Sequence, residues 1–190
     1  MTIAKRILIL AMLQLTGSWG FSQTDIADYF LALPAEMDGD WDSGPTLSAS
    51  AREQLIVAAR KGYSTVEGMI LLDLRNGYLR ISGSDSGERV TLTMVLFRQE
   101  DHSALIAIAL DENFEQEAEN GGGPATDHFA FYTVEESGWK DVTKKIAPVW
   151  PLQDVYIELP RKGTTIPIYD RGKTKKIAIW ERLGDGFISR

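Results

Sequence analysis

Between Gly68 and Leu110 the chain alternates apolar runs with short polar breaks: GMILLDLRNGYLRIS, GSDSGE, RVTLTMVLFRQ, EDHS and ALIAIAL. In the third run Val90, Leu92, Met94 and Leu96 share one face, while Thr91, Thr93, Val95 and Phe97 share the other. Period-two alternation with β-branched residues predicts a strand rather than a helix. The run from Ala104 to Leu110 is apolar on both faces, which places it centrally in a sheet or beneath a covering helix. Asn76-Gly77 lies between apolar runs and predicts a two-residue type I′ turn, which needs positive φ at both central positions. Gly83 to Gly87 supplies the next reversal. The stretch predicts a four-stranded antiparallel meander.

Helical signals lie on its N-terminal side. Thr24 or Asp25 suits the cap of a short helix ending at Leu33, before Pro34. Ser48 or Ser50 opens a second helix through Lys61, with Gly62 as its terminator. Ser50 with Glu53 fits a capping box. Leu55, Ile56, Ala59 and Tyr63 form an apolar stripe. One helix laid across an antiparallel sheet buries both apolar surfaces.

Beyond the meander, Asp111 to Asn120 holds five acids and is followed by Gly121-Gly122-Gly123-Pro124. It reads as an acidic loop, or as a sub-domain boundary over 111–126. Strand signals then return at Phe129–Val134, Trp139–Val142, Val155–Leu159, Thr165–Tyr169 and Lys175–Glu181, with a single helical turn at Thr143–Ala147. Pro167 cannot donate to a ladder, so its strand is expected at an edge or a bulge. No internal repeat of fixed period is present. The expected fold class is α+β: an antiparallel β-meander covered by an N-terminal helix and continuing into a C-terminal antiparallel β region, all within one domain over 21–190.

Residues 1–20 change the picture of where this domain works. Lys5-Arg6 precedes the apolar run Ile7–Leu13, which is too short to span a bilayer. Small residues then suit cleavage after Gly20 or after Ser22. A basic head, an apolar middle and a small-residue site predict a secretory signal peptide. No cysteine follows for lipid attachment, and no later segment has the length and apolarity of a membrane span. The expected product is soluble, exported, and periplasmic or extracellular. Loss of residues 1–20 leaves 18 Lys plus Arg against 27 Asp plus Glu, a formal charge of −9. Such a surface repels nucleic-acid phosphates and anionic membranes, and attracts cationic partners. Zero cysteines exclude disulfides, thiol catalysis and thiolate metal sites.

Candidate chemistry is sparse. His102 and His128 are the two histidines, and no G-x-S-x-G elbow accompanies them. Paired carboxylates hydrolyse glycosides in other proteins, but 27 acids give that pattern no specificity here. Asp38, Asp40 and Asp42 alternate as in an oxygen-rich calcium loop, yet lack the glycine and the distal acid of an EF-hand. The Asp111–Glu119 run lacks them too. No metal site and no cofactor are expected. The run Leu159-Pro160-Arg161-Lys162-Gly163-Thr164-Thr165-Ile166 sets two cations and two hydroxyls around a glycine. Arg161, Lys162, Thr164 and Thr165 are therefore candidate ligands for a carboxylate or sulfate. Trp139 is a candidate stacking residue for a sugar, alongside Trp41, Trp150 and Trp180.

Gly138-Trp139-Lys140-Asp141-Val142-Thr143 and Leu159–Ile166 resemble small exported bacterial proteins of unknown function that share G-x-W-x-D-V-T and L-P-R-x-G-T-T-I elements. Phe21-Ser22-Gln23 resembles the signal-peptide ends of such proteins. The likeness covers about 30 C-terminal residues. It implies export and β structure, and no activity. Lys162 stands where those proteins often carry an aromatic. The expected function is a non-catalytic binding or interaction protein of the cell envelope, with a protein or carbohydrate ligand. Two rivals are a carboxylate-dependent hydrolase of envelope glycans and an acidic inhibitor of a cationic secreted enzyme.

Overall fold

The computed structural model describes residues 25–34, 48–61, 68–85, 88–99, 103–114, 124–148 and 154–190, with the backbone alone at 68–69, 84–85, 88–89 and 112–114. The expected leader, the Asp38–Asp42 loop, His102, Trp41 and Trp150 lie outside the described residues.

The alternating stretch becomes β1 (Gly68–Asp73), β2 (Tyr78–Asp85), β3 (Glu88–Arg98) and β4 (Ala104–Phe114), followed by β5 (Ala125–Glu135) and β6 (Gly138–Asp141). Each strand pairs antiparallel with its sequence neighbour, so the six form a meander in the order β1 to β6. A second sheet holds β7 (Val155–Ile157), β8 (Thr165–Asp170), β9 (Lys176–Leu183) and β10 (Gly186–Ser189), in the order β10-β9-β8-β7. The sequence reading did not foresee β10. Gly184, at φ +58, turns the chain so that Gly186 pairs with Leu183. Three short helices complete the described residues: α1 (Ile26–Leu31), α2 (Ala49–Arg60) and α3 (Thr143–Ile146).

The large sheet is buried on both faces because its middle strands are apolar on both. Leu79, Leu92, Met94, Ile106 and Ile108 face the helices. Val95, Phe97, Ala107, Phe129 and Phe131 face the small sheet, where Ile166, Ile168, Trp180 and Phe187 close over them. The short side chains of Ala107 and Ala109 on β4 leave room for neighbouring aromatic rings. Phe131 stacks on Phe187 at 5.2 Å, and Phe129 meets Trp180 edge-on at 5.8 Å.

The single covering helix expected from the sequence is not what forms. The shorter α1 contributes Ile26, Ala27, Tyr29 and Phe30 to the core, whereas α2 contributes Ile56, with Leu55 only partly buried. Asp25 caps α1, accepting from the amides of Ala27 and Asp28. Ser48, not Ser50, caps α2, accepting from the Ala51 amide. The Ser50 hydroxyl instead accepts from Gln54, so no capping box is made.

Three further expectations are corrected. The β1–β2 connection is four residues, Leu74–Gly77, rather than a two-residue type I′ turn. Asp73 accepts from both the backbone and the side-chain nitrogens of Asn76, which draws the turn wider. Gly77 alone takes positive φ, at +64, and its backbone lies so close to Leu96 that an added Cβ would sit 2.9 Å from that residue's Cβ. Second, the acidic run does not begin as a loop: β4 continues through Asp111 to Phe114, and β5 pairs back against Asp111 and Glu112. Third, of the edge or bulge expected for the strand of Pro167, the edge is not what forms, since β8 is an interior strand. The Pro167 carbonyl accepts from the Glu158 amide just past the end of β7, so its missing N–H faces the point where that ladder stops. A register irregularity follows it at Ile168/Tyr169.

Candidate functional site

The face of the large sheet that meets the small one changes character along its length. On β3 it reads Phe97, Val95, Thr93, Thr91; on β4 it reads Leu105, Ala107, Ala109, Asp111; on β2 it reads Tyr78, Arg80, Ser82. At the polar end the register sets Ser82 beside Thr91, Thr91 beside Asp111, and Asp111 beside Thr126. One row of four polar side chains thus crosses four strands. The Ser82 and Thr91 hydroxyls bond at 3.0 Å, and Thr126 donates to Asp111 at 2.7 Å.

Thr126 reaches this row through a defect. Along β5 the residues facing the small sheet are Phe129 and Phe131, so strict alternation would put Thr126 on the helix face. Between Leu110 and Asp111 the register slips by one residue: Leu110 pairs with His128, and Asp111 pairs with Thr126. The bulge at Asp127 turns Thr126 over, which is how bulges re-aim side chains beside functional sites. Its hydroxyl then serves both sheets, donating to Asp111 and accepting the Ile157 amide of β7 at 2.8 Å.

Above this polar end the small sheet does not close down, and a cleft of about 410 Å³ remains. Its floor carries Tyr78, Arg80, Thr93 and Asp111. Its opposite wall comes from Tyr156, Glu158 and the Leu159–Arg161 segment, with Thr165, Pro167, Lys176 and Ile179 behind. The protein as a whole carries a formal charge of −7, yet three cations and two acids line this cleft.

The electrostatics are uneven. Burial pushes the Asp111 carboxyl up to about 7, against the Thr126 hydrogen bond and the pull of Arg80 and Lys173. Tyr156 is pushed far up, first by burial and then by the charge of Asp111. Tyr78 is raised by burial, with Arg80 and its hydrogen bond to Thr93 opposing. At the rim, Arg161 donates to Asp73 at 2.8 Å. Asp73 is held down to about 2, chiefly by the Asn76 side chain and next by Arg161. Glu158 accepts from Lys173 at 2.7 Å. Among the described residues, the exposed guanidinium of Arg80 makes no hydrogen bond or ion pair.

The sequence candidates separate. Arg161 and Thr165 line the cleft. Lys162 and Thr164 stand exposed on the same loop without lining it. Trp139 sits on the other side of the large sheet, packed edge-on to Tyr29 and Tyr132, and its indole nitrogen donates to the Ala32 carbonyl at the end of α1. In this chain Gly138 adjoins Trp139 directly, without the spacer of the G-x-W pattern. Trp180 is enclosed in the inter-sheet core. The sequence reading missed Arg80, Asp111, Thr126 and Tyr156. Thr91 and Thr93 on one face with Val95 and Phe97 were the available signal for a polar end.

No protein-family model matches the chain, and no curated protein matches it. A solved structure, that of a domain of an uncharacterized protein from Porphyromonas gingivalis W83, is similar to it with a TM-score of 0.53 and 12% identity, over 87% of this chain and 97% of that one. At that identity the likeness shows the fold alone. No described helix is long and apolar enough to cross a membrane.

Proposed function

We propose that this is an exported, non-catalytic binding protein of the cell envelope, and that its ligand occupies the cleft between the diverging ends of the two sheets. The observation that carries the reading is the polar row Ser82-Thr91-Asp111-Thr126, completed by a β-bulge, whose Asp111 lines the floor of an open cavity together with Tyr78, Arg80 and Thr93. Burying polar side chains costs free energy even where they are paired, and a purely structural sheet would place apolar residues there. The cavity volume lies within the range of small-molecule sites. Export is supported by the N-terminal pattern: a basic head, an apolar run and small residues before Phe21.

The test is to titrate the isotope-labelled full chain with soluble fragments of peptidoglycan and envelope polysaccharide. Amide shifts should cluster at Arg80, Thr93, Asp111 and Arg161. Shifts confined to other regions, or none with any fragment, would sink the reading. Mass spectrometry of the chain expressed in a bacterial host should find a new terminus at Phe21 or Gln23; a retained Met1 with cytoplasmic accumulation would count against export.

A second reading, a carboxylate-dependent hydrolase of envelope glycans, is favoured by one feature. Asp111 and Glu158 share the cleft, and the raised carboxyl of Asp111 falls in the range of a general acid. Release of reducing ends from those fragments by the native chain, lost in both Asp111→Asn and Glu158→Gln, would establish it over simple binding.

A further inference from the structure

Each hydroxyl that lines the cleft can donate or accept, whereas an ionised carboxylate only accepts, so a ligand that offers donors as well as acceptors matches the lining best. The floor and wall supply hydroxyls from Tyr78, Thr93 and Tyr156, and carboxyl acceptors from Asp111 and Glu158. An inorganic anion has acceptors only and would leave those carboxyls facing negative charge. A neutral polyol satisfies the hydroxyls but leaves the Arg80 guanidinium without a hydrogen-bonded anionic partner. Arg161 is held by Asp73, and Lys176 rests over the Tyr169 ring. Arg80 is therefore the cation presented to an incoming group, and a guanidinium prefers a planar carboxylate. Pro160, Pro167 and Ile179 add apolar wall against which carbon-bound hydrogens can lie. The volume suits one ring-sized molecule better than an extended polymer.

We propose that the cleft is a site for a small hydroxylated carboxylic acid, its carboxylate held by Arg80 and its hydroxyls by Tyr78, Thr93 and Tyr156. This rests on the binding reading above and narrows it. A proton is linked to the event. The groups facing Asp111 are Arg80 and Tyr78 from β2, Thr126 from β5, Tyr156 and Glu158 from the β7 segment, and Lys173 from the β8–β9 turn. Arg80 is one of the cations that hold the Asp111 carboxyl down. A ligand carboxylate on Arg80 cancels that pull and brings a second negative charge near, so Asp111 gains a proton as the ligand enters. Affinity accordingly rises as pH falls through neutrality.

Isothermal titration of the full chain with glucuronate, glucose and sulfate tests this. Glucuronate should bind, with glucose and sulfate each about tenfold weaker or worse. Arg80→Ala, at an exposed position, should weaken glucuronate by about tenfold and leave glucose unchanged. Titration at about pH 7 in two buffers of different ionisation heat should show uptake of a fraction of a proton by the native chain and none by Asp111→Asn. In that variant the asparagine oxygen still accepts from Thr126. Glucose binding as tightly as glucuronate would overturn the carboxylate assignment, and sulfate doing so would overturn the hydroxyl assignment. Unchanged affinity in Arg80→Ala, undiminished proton uptake in Asp111→Asn, or no binding of any probe would each overturn the proposal. The broader binding reading fails separately, when glycan fragments leave the cleft amides unshifted.

Discussion

The same face of the same sheet is built in two ways. At one end, Phe97, Phe129 and Phe131 interlock with Trp180 and Phe187 of the second sheet and leave no room. At the other, Ser82, Thr91, Thr93 and Asp111 are also buried, yet Thr93 and Asp111 line a cavity. Both ends follow the same period of two, and they differ in what the alternation delivers to the interface. The difference teaches that the sandwich is fastened at one end and left open at the other.

The largest expected effect comes at the fastened end. Phe131→Ala removes a fully buried ring that touches Phe129, Trp180 and Phe187, and should cost about 3–5 kcal/mol in denaturant unfolding. A loss below about 1 kcal/mol would erase the contrast between the ends.

At the open end the sign reverses. The folded Asp111 carboxyl, at about 7, lies above its ordinary value of 3.8, so the folded state binds the extra proton between the two. Stability from this group is full below about pH 4 and is lost as pH rises through about 7. Asp111→Asn, which cannot ionise, should therefore stabilise the protein by about 1–3 kcal/mol at about pH 8 and change it little at about pH 4. Melting at both pH values checks this, and destabilisation at the higher one would contradict the assignment.

On the opposite face, Trp139→Phe keeps most of the ring packing and loses the bond to the Ala32 carbonyl, a cost of about 1 kcal/mol. Native stability in that variant, combined with lost ligand binding, would return Trp139 to the role of a stacking residue. The smallest effect is expected when Ser82→Ala and Thr91→Val are combined. Removing both partners of one hydrogen bond is close to neutral, within about 0.5 kcal/mol, whereas Thr91→Val alone strands the Ser82 hydroxyl and costs about 1 kcal/mol.

These elements also show what could be read beforehand. The two faces of β3 were legible because apolar and β-branched residues alternate without interruption, and Val90, Leu92, Met94 and Leu96 do pack toward the helices. The covering layer was misjudged because α2 has the longer apolar pattern, while α1, only six residues long, is buried almost whole. Asp111 was hidden at the head of five acids that look like solvent-exposed loop. What buries it is non-local: its pairing with Thr91 across β3 and with Thr126 on β5. Thr126 was hidden more deeply, since its facing depends on a one-residue slip that no local pattern announces. Of the Leu159–Ile166 candidates, Arg161 and Thr165 lie at the cleft and Lys162 and Thr164 do not, because a hairpin loop projects only some of its side chains to one side. Cations are conspicuous in an acidic chain, whereas a single arginine inside a strand, such as Arg80, is not.

The Thr126 hydroxyl leaves the Ile157 backbone nitrogen as a built-in gauge. That amide is fastened to the far layer by a single oxygen whose other hydrogen bond ends on the buried Asp111 carboxyl. Its deuterium uptake should slow when the cavity is filled and quicken when Thr126→Val cuts the connection. Occupancy can then be followed from the protein's own backbone, with no tag on the molecule that enters.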